Sequence, residues 1–167
     1  SGSAYDVHHY VLMNYNDDFE SVSTLAHEWG HAVHTMLSTE GQPFETARYP
    51  IFLAEIASTV NEVLLVDDRM QVAETDEEKL YYLGFLLEQW RGTFFRQAMF
   101  AEYELEVHEA FAAGTPLSGA RLSDMYGNIL KRYHGHDEGV MHIDPLFHVE
   151  WAYIPHFYRN FYVYQYA

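Results

Sequence analysis

His27-Glu28-Trp29-Gly30-His31 sets two imidazoles four residues apart, inside a run whose apolar residues follow helical spacing. An α-helix turns once in about 3.6 residues, so residues i and i+4 stand one above the other on one face. His27 and His31 therefore aim at one point, and Glu28 lies beside that face, within reach of a water held there. Two histidines and an adjacent carboxylate are the components of zinc-dependent peptide-bond hydrolysis. They supply two ligands and a general base for a zinc-bound water.

A catalytic zinc takes three protein ligands and keeps one position open. The third must come from another element and be His, Glu or Asp, because the chain has no cysteine. Glu55, in Phe52-Leu53-Ala54-Glu55-Ile56-Ala57-Ser58, stands between apolar neighbours in a helix that reads as buried. An unpaired buried carboxylate is costly, and a metal ion would be its partner. A partly exposed helix acid is the other reading. Glu62, two turns along the same face, is placed to accept the free N–H of a ligand histidine; otherwise it is a solvated helix acid. His134, His136 and His142 lack the regularity of one helix face and read as surface histidines.

The elements that must carry these residues follow from caps and breakers. Residues 1–16 read as extended or loop, with Tyr10-Val11-Leu12-Met13 strand-like. Asp17 or Asp18 caps a helix that runs to about Ser38 and ends at Gly41-Gln42-Pro43. A second helix covers about Pro50 to Val66, with Asp67-Asp68 as its turn or frayed end. A long helical pattern spans about Asp76 to Ala113 and is closed by Gly114-Thr115-Pro116. Another covers about Ser118 to Tyr133. A His-rich polar loop follows, and from Phe147 the chain is aromatic-rich, helical or extended. The expected class is mainly α, a single catalytic-core domain over residues 1–167.

Composition narrows the partners. With 25 acidic and 9 basic residues the net charge is -16, which repels phosphate backbones and anionic lipid surfaces. Nucleic acid and membrane are therefore excluded as partners, and no run of roughly 18 apolar residues spans a bilayer. The apolar share of 49%, with 14 Tyr and 11 Phe, is that of a folded core. Without cysteine there is neither disulfide nor thiolate-bound zinc. The start lacks the basic and apolar regions of a signal peptide, so a cytoplasmic location is expected. The chain has no initiator Met and stops inside an aromatic run, as a fragment of a longer protein would.

Three separated blocks, in order, carry a resemblance. They are Thr24-Leu25-Ala26-His27-Glu28-Trp29-Gly30-His31-Ala32-Val33, then Phe52 through Glu62, then Ile154-Pro155-His156-Phe157-Tyr158-Arg159-Asn160-Phe161-Tyr162-Val163-Tyr164-Gln165-Tyr166-Ala167. With them the chain resembles the oligoendopeptidase F branch of the thimet oligopeptidase family. The resemblance implies a helical zincin-type core with one Zn2+ held by His27, His31 and Glu55. Glu62 would stand behind the site. Glu28 would take a proton from the zinc-bound water and pass it to the leaving amine. The third block would offer hydrogen-bond donors to the substrate carbonyl and oxyanion. His148 and one of Tyr162 or Tyr164 are expected to face the zinc, with His156 and Tyr158 contacting substrate. The implied substrates are short peptides and the implied reaction is endoproteolysis. Alternatives are a carboxypeptidase or dipeptidase of related fold, or an inactive zinc-binding fragment.

Overall fold

The computed structural model describes residues 2–166. Ser1 and Ala167 lie outside the described residues, as does the side chain of Tyr166. Among the described residues the regular structure is helical, without a strand. The strand-like Tyr10–Met13 run is reduced to one antiparallel bridge, in which Gly2 and Tyr10 exchange N–H···O bonds of 2.9 Å. Leu12 is 93% exposed, so its side chain adds almost no packing to that segment.

Helix α1 is Phe19–Gly41. Asp18 caps it, its carboxylate accepting the Ser21 N–H at 2.8 Å, and hydrogen bonding with the Ser21 side chain, then with that N–H, lowers the Asp18 pKa. Helix α2 is Ile51–Val72, preceded by Pro50. It runs through Asp67-Asp68 rather than stopping there. The amide of Gln71 donates to Asp67 one turn back at 2.7 Å, and Arg69 pairs with Asp68. Helix α3 is Asp76–Trp90. The long pattern to Ala113 is interrupted by a π-helical turn at Arg91–Phe95, after which α4 covers Arg96–Ala112. Helix α5 is Gly119–Tyr133, capped by Ser118. The aromatic C-terminal segment forms 3-10 turns at Pro145–Tyr153, Pro155–Tyr158 and Val163–Tyr166. Pro145 and Pro155 open two of these turns and cannot sit inside a continuous α-helix.

The chain divides into two compact units, residues 1–87 and 88–167, with the division inside α3. In the first, α1 and α2 lie against each other along a seam of small residues. Gly30 and Ala32 from α1 are buried there, as is Ser58 from α2. A Cβ on Gly30 would fall 2.5 Å from Ser58 Cα and 2.8 Å from the Ala57 carbonyl oxygen, so only glycine permits this approach. Phe19 packs edge-on against Tyr82 and Phe85 of α3, with ring centroids 5.0 and 4.9 Å apart. The expected burial of α2 is confined to this seam. Its outer apolar residues Phe52, Ile56 and Leu64 are more than half exposed, because only one of its faces meets α1.

The second unit has the larger core. Met99, Phe100 and Tyr103 of α4 meet Tyr126, Ile129 and Leu130 of α5, closed over by Ile143, Ile154 and Val163. A polar tie crosses it: Glu150 pairs with Arg96 and accepts the Tyr126 hydroxyl at 2.6 Å. Burial and this bond push the Tyr126 pKa up, so the phenol keeps its proton. Replacing Glu150 with Ala leaves Arg96 and Tyr126 without this partly buried partner and should cost about 1–3 kcal/mol, as unpairing partly buried polar groups does. Urea denaturation checks this, and a change within about 0.5 kcal/mol would contradict it.

Candidate metal centre

Helical geometry puts His27 and His31 on the face of α1 that meets α2, and Glu55 on the face of α2 that meets α1. The result is a three-atom cluster. His27 Nε2 and His31 Nε2 are 3.1 Å apart, and Glu55 Oε2 lies 3.2 Å from the first and 3.3 Å from the second. Among the described residues this is the one His/Asp/Glu group arranged to hold a metal ion.

The second nitrogen of each ring decides what the cluster can do. His27 Nδ1 lies 3.1 Å from Glu62 Oε2, and His31 Nδ1 lies 3.1 Å from the carbonyl oxygen of Ala54. An ionised carboxylate and a carbonyl only accept, so both Nδ1 atoms donate. In neutral imidazoles the Nε2 atoms then carry lone pairs, and these point at each other and at a carboxylate oxygen. Three acceptors within 3.3 Å repel unless a cation stands between them. Zinc bonds of about 2.0–2.1 Å at tetrahedral angles separate the ligand atoms by about 3.3–3.4 Å, close to the spacing here. The residues present fit a tetrahedral divalent ion with one position left open.

Two flanking contacts steady this arrangement. Glu62, which orients His27, also accepts the Ser23 hydroxyl at 3.2 Å, and Asn61 Nδ2 donates to the Ala26 carbonyl at 2.6 Å, tying α2 to α1 one residue before His27. Ser23, Gly30, Ser58 and Asn61 were not singled out by sequence reasoning. For Ser23, Gly30 and Ser58 the signal was available as small residues three or four positions from His27, Glu55 or Glu62 on the facing sides of two helices; Asn61, directly before Glu62, lacks that spacing. Glu28 is half-buried and follows His27 directly on α1, outside the ligand cluster.

In the metal-free chain a proton takes the place of the cation. Hydrogen bonding to Glu55, then to Glu62, pushes the His27 pKa up to about 9 against the opposing effect of burial, and the same contact lowers that of Glu55. The folded value exceeds the ordinary 6.5, so this contribution to stability is complete below pH 6.5 and is lost as the pH rises through about 9. Chelator-treated protein should therefore lose denaturation midpoint between those pH values, and metal should suppress the loss because it replaces the proton. A midpoint of the metal-free chain that rises over this window would contradict the assignment.

Among the described residues the His-rich loop forms no group arranged to hold a metal ion. His134 Nδ1 donates to the Leu130 carbonyl at 2.9 Å, and His136 Nδ1 accepts the Ile143 N–H at 2.9 Å. Both are half-buried, fastening the loop to α5 and to Ile143, whereas His142 is exposed as expected.

The C-terminal candidates all lie in the second unit. The ring of His148 lies against Gly127 of α5, where a Cβ would come within 2.6 Å of it, and its Nε2 is buried without a hydrogen-bond partner among the described residues. His156 stacks on Tyr162, centroids 5.2 Å apart, with Arg159 over the other ring. The Tyr158 hydroxyl donates to the Ala152 carbonyl at 2.7 Å, and Tyr164 is 66% exposed.

Known proteins with this sequence pattern are peptidases by name. "Oligoendopeptidase F, plasmid" of Lactococcus lactis subsp. cremoris is 43% identical over the whole chain, which covers 27% of that protein. "Oligopeptidase PepF" of Bacillus subtilis (strain 168) is also 43% identical over the whole chain, covering 24% of that protein. The crystal structure of oligoendopeptidase-F from Enterococcus faecium superposes with a TM-score of 0.71 at 38% identity, over 89% of this chain and 26% of that one. The chain thus spans about a quarter of the length of these relatives. Residues 3–167 match Peptidase family M3, and with that match and this identity along its full length the chain belongs to peptidase family M3.

Proposed function

We propose that this chain is the catalytic core of a zinc-dependent endopeptidase acting on short oligopeptides. The observation that carries the reading is the convergence of His27 Nε2, His31 Nε2 and Glu55 Oε2, with Nδ1 of each histidine engaged by an acceptor behind it. These three residues would hold one Zn2+, which when bound would polarise the scissile carbonyl and acidify water. Glu28, beside His27 and free of any ligand role, takes a proton from the attacking water and delivers it to the departing amine.

Donors to the developing oxyanion come, in this reading, from His148 and from Tyr162 or Tyr164. The buried Nε2 of His148, which has no hydrogen-bond partner among the described residues, supports its inclusion. His156 and Tyr158 would contact the peptide, Tyr158 through its ring because its hydroxyl proton is given to Ala152. If His148 is such a donor, Gly127→Ala should lower kcat by about 10- to 100-fold by pushing the ring aside, without changing metal content. Unchanged kcat would remove His148 from the mechanism.

A quenched fluorescent oligopeptide with mass analysis of the products tests the whole reading. The expected result is internal cleavage, stopped by a chelator and restored by added Zn2+. Cleavage indifferent to the chelator would overturn the proposal. Products limited to single residues or dipeptides would assign the chain to the exopeptidase alternative instead.

A further inference from the structure

Glu55 stands apart from the two histidines. Each imidazole is braced from behind through Nδ1, by Glu62 or by the Ala54 carbonyl. The Glu55 side chain is one-third exposed and has three rotatable bonds, so it can leave the cluster for solvent unless something holds it. Among the described residues, Ser58 is the one group other than the two histidines placed to do so. Its hydroxyl lies 3.0 Å from Glu55 Oε2 and 3.0 Å from the Glu55 carbonyl oxygen.

One hydroxyl proton serves one of these acceptors well. The Glu55 carbonyl already accepts the helical N–H four residues on and, at 2.6 Å, the hydroxyl of Thr59. The carboxylate is charged and the stronger acceptor, so the Ser58 proton goes to Oε2. That is the oxygen facing both Nε2 atoms. Ser58 itself cannot shift: it is fully buried, with its backbone against Gly30.

We propose that Ser58 is a positioning residue for the metal centre, holding Glu55 in the rotamer that turns Oε2 toward His27 and His31. This rests on the reading of those three residues as metal ligands. Thr59 is a built-in comparison, since its hydroxyl bonds the same backbone carbonyl and is not placed on the carboxylate. A serine kept only to fill the seam would behave differently from one that orients a ligand. Alanine fills nearly the same volume and is the better helix former, so Ser58→Ala should leave the metal-free fold as stable or more so.

The test is Zn2+ titration against a chromophoric chelator, with thermal melting of the metal-free proteins, for the unaltered chain, Ser58→Ala and Thr59→Ala. The expected result is an affinity about 10- to 100-fold weaker for Ser58→Ala, an unchanged affinity for Thr59→Ala and no fall in metal-free melting temperature for Ser58→Ala. Equal affinity of Ser58→Ala and the unaltered chain would overturn the proposal while leaving the metal centre standing. So would an equal loss in Thr59→Ala, or a lowered metal-free melting temperature in Ser58→Ala. Failure of the unaltered chain to bind Zn2+ would instead bring down the reading of the centre itself.

Discussion

Glu28→Gln should abolish peptide hydrolysis and leave the metal in place. The amide matches the carboxylate in size and keeps a hydrogen bond to water, but it cannot take up a proton at neutral pH. General-base contributions are typically about 10²–10⁴ in rate, and a loss at the upper end is expected because Glu28 serves twice, at water and at the leaving amine. Glu28 is outside the His27–His31–Glu55 cluster, so metal content should not change. Single-turnover kinetics with metal analysis on the same sample checks this. Full activity, or loss of the metal, would show that Glu28 has a different role.

Gly30→Ala should have the second large effect, on stability and metal binding together. The added methyl carbon would meet Ser58 Cα at 2.5 Å, the Ala57 carbonyl oxygen at 2.8 Å and Ser58 N at 2.9 Å. All three are backbone atoms, so no side chain can rotate away and the two helices must separate. Overpacking of this kind costs about 1–3 kcal/mol. The helix-propensity gain of about 1 kcal/mol for alanine over glycine offsets only part of it. Separation also draws Glu55 from the two imidazoles, which belong to the other helix. Denaturant melts and Zn2+ titration should therefore both move, to lower stability and weaker binding. A variant as stable as its parent and binding Zn2+ equally well would mean that the close approach is not what sets the ligand spacing.

The parts of this site readable from sequence are those fixed by one helix. His27, Glu28 and His31 follow from a 3.6-residue repeat, and the caps Asp18 and Ser118 act on N–H groups three residues on, so both were accessible to spacing arguments. Glu55 was a candidate because an acid between apolar neighbours needs a partner, and Glu62 because it lies two turns along the same face. The resemblance, rather than the spacing, tied them to the histidines. What spacing cannot express is the distance between two helices, and here that distance depends on Gly30 meeting Ser58. The same holds for the continuation of α2 past Asp67-Asp68. Side-chain bonds from Arg69 and Gln71 absorb charges that read as a break in isolation. The π turn at Arg91–Phe95 is marked by Gly92 alone, a residue that a helix tolerates, whereas the 3-10 turns of the C-terminal segment have Pro145 and Pro155 at their starts.

The central claim is that His27, His31 and Glu55 hold one catalytic metal ion. Elemental analysis of the purified chain beside His31→Ala tests it most directly, after both have been exposed to Zn2+ and freed of excess. The account predicts one zinc per chain in the first and a near-total loss in the second, since removing one of three ligands leaves a two-ligand site. A chain that retains no zinc, or a His31→Ala variant that retains it in full, would contradict the account.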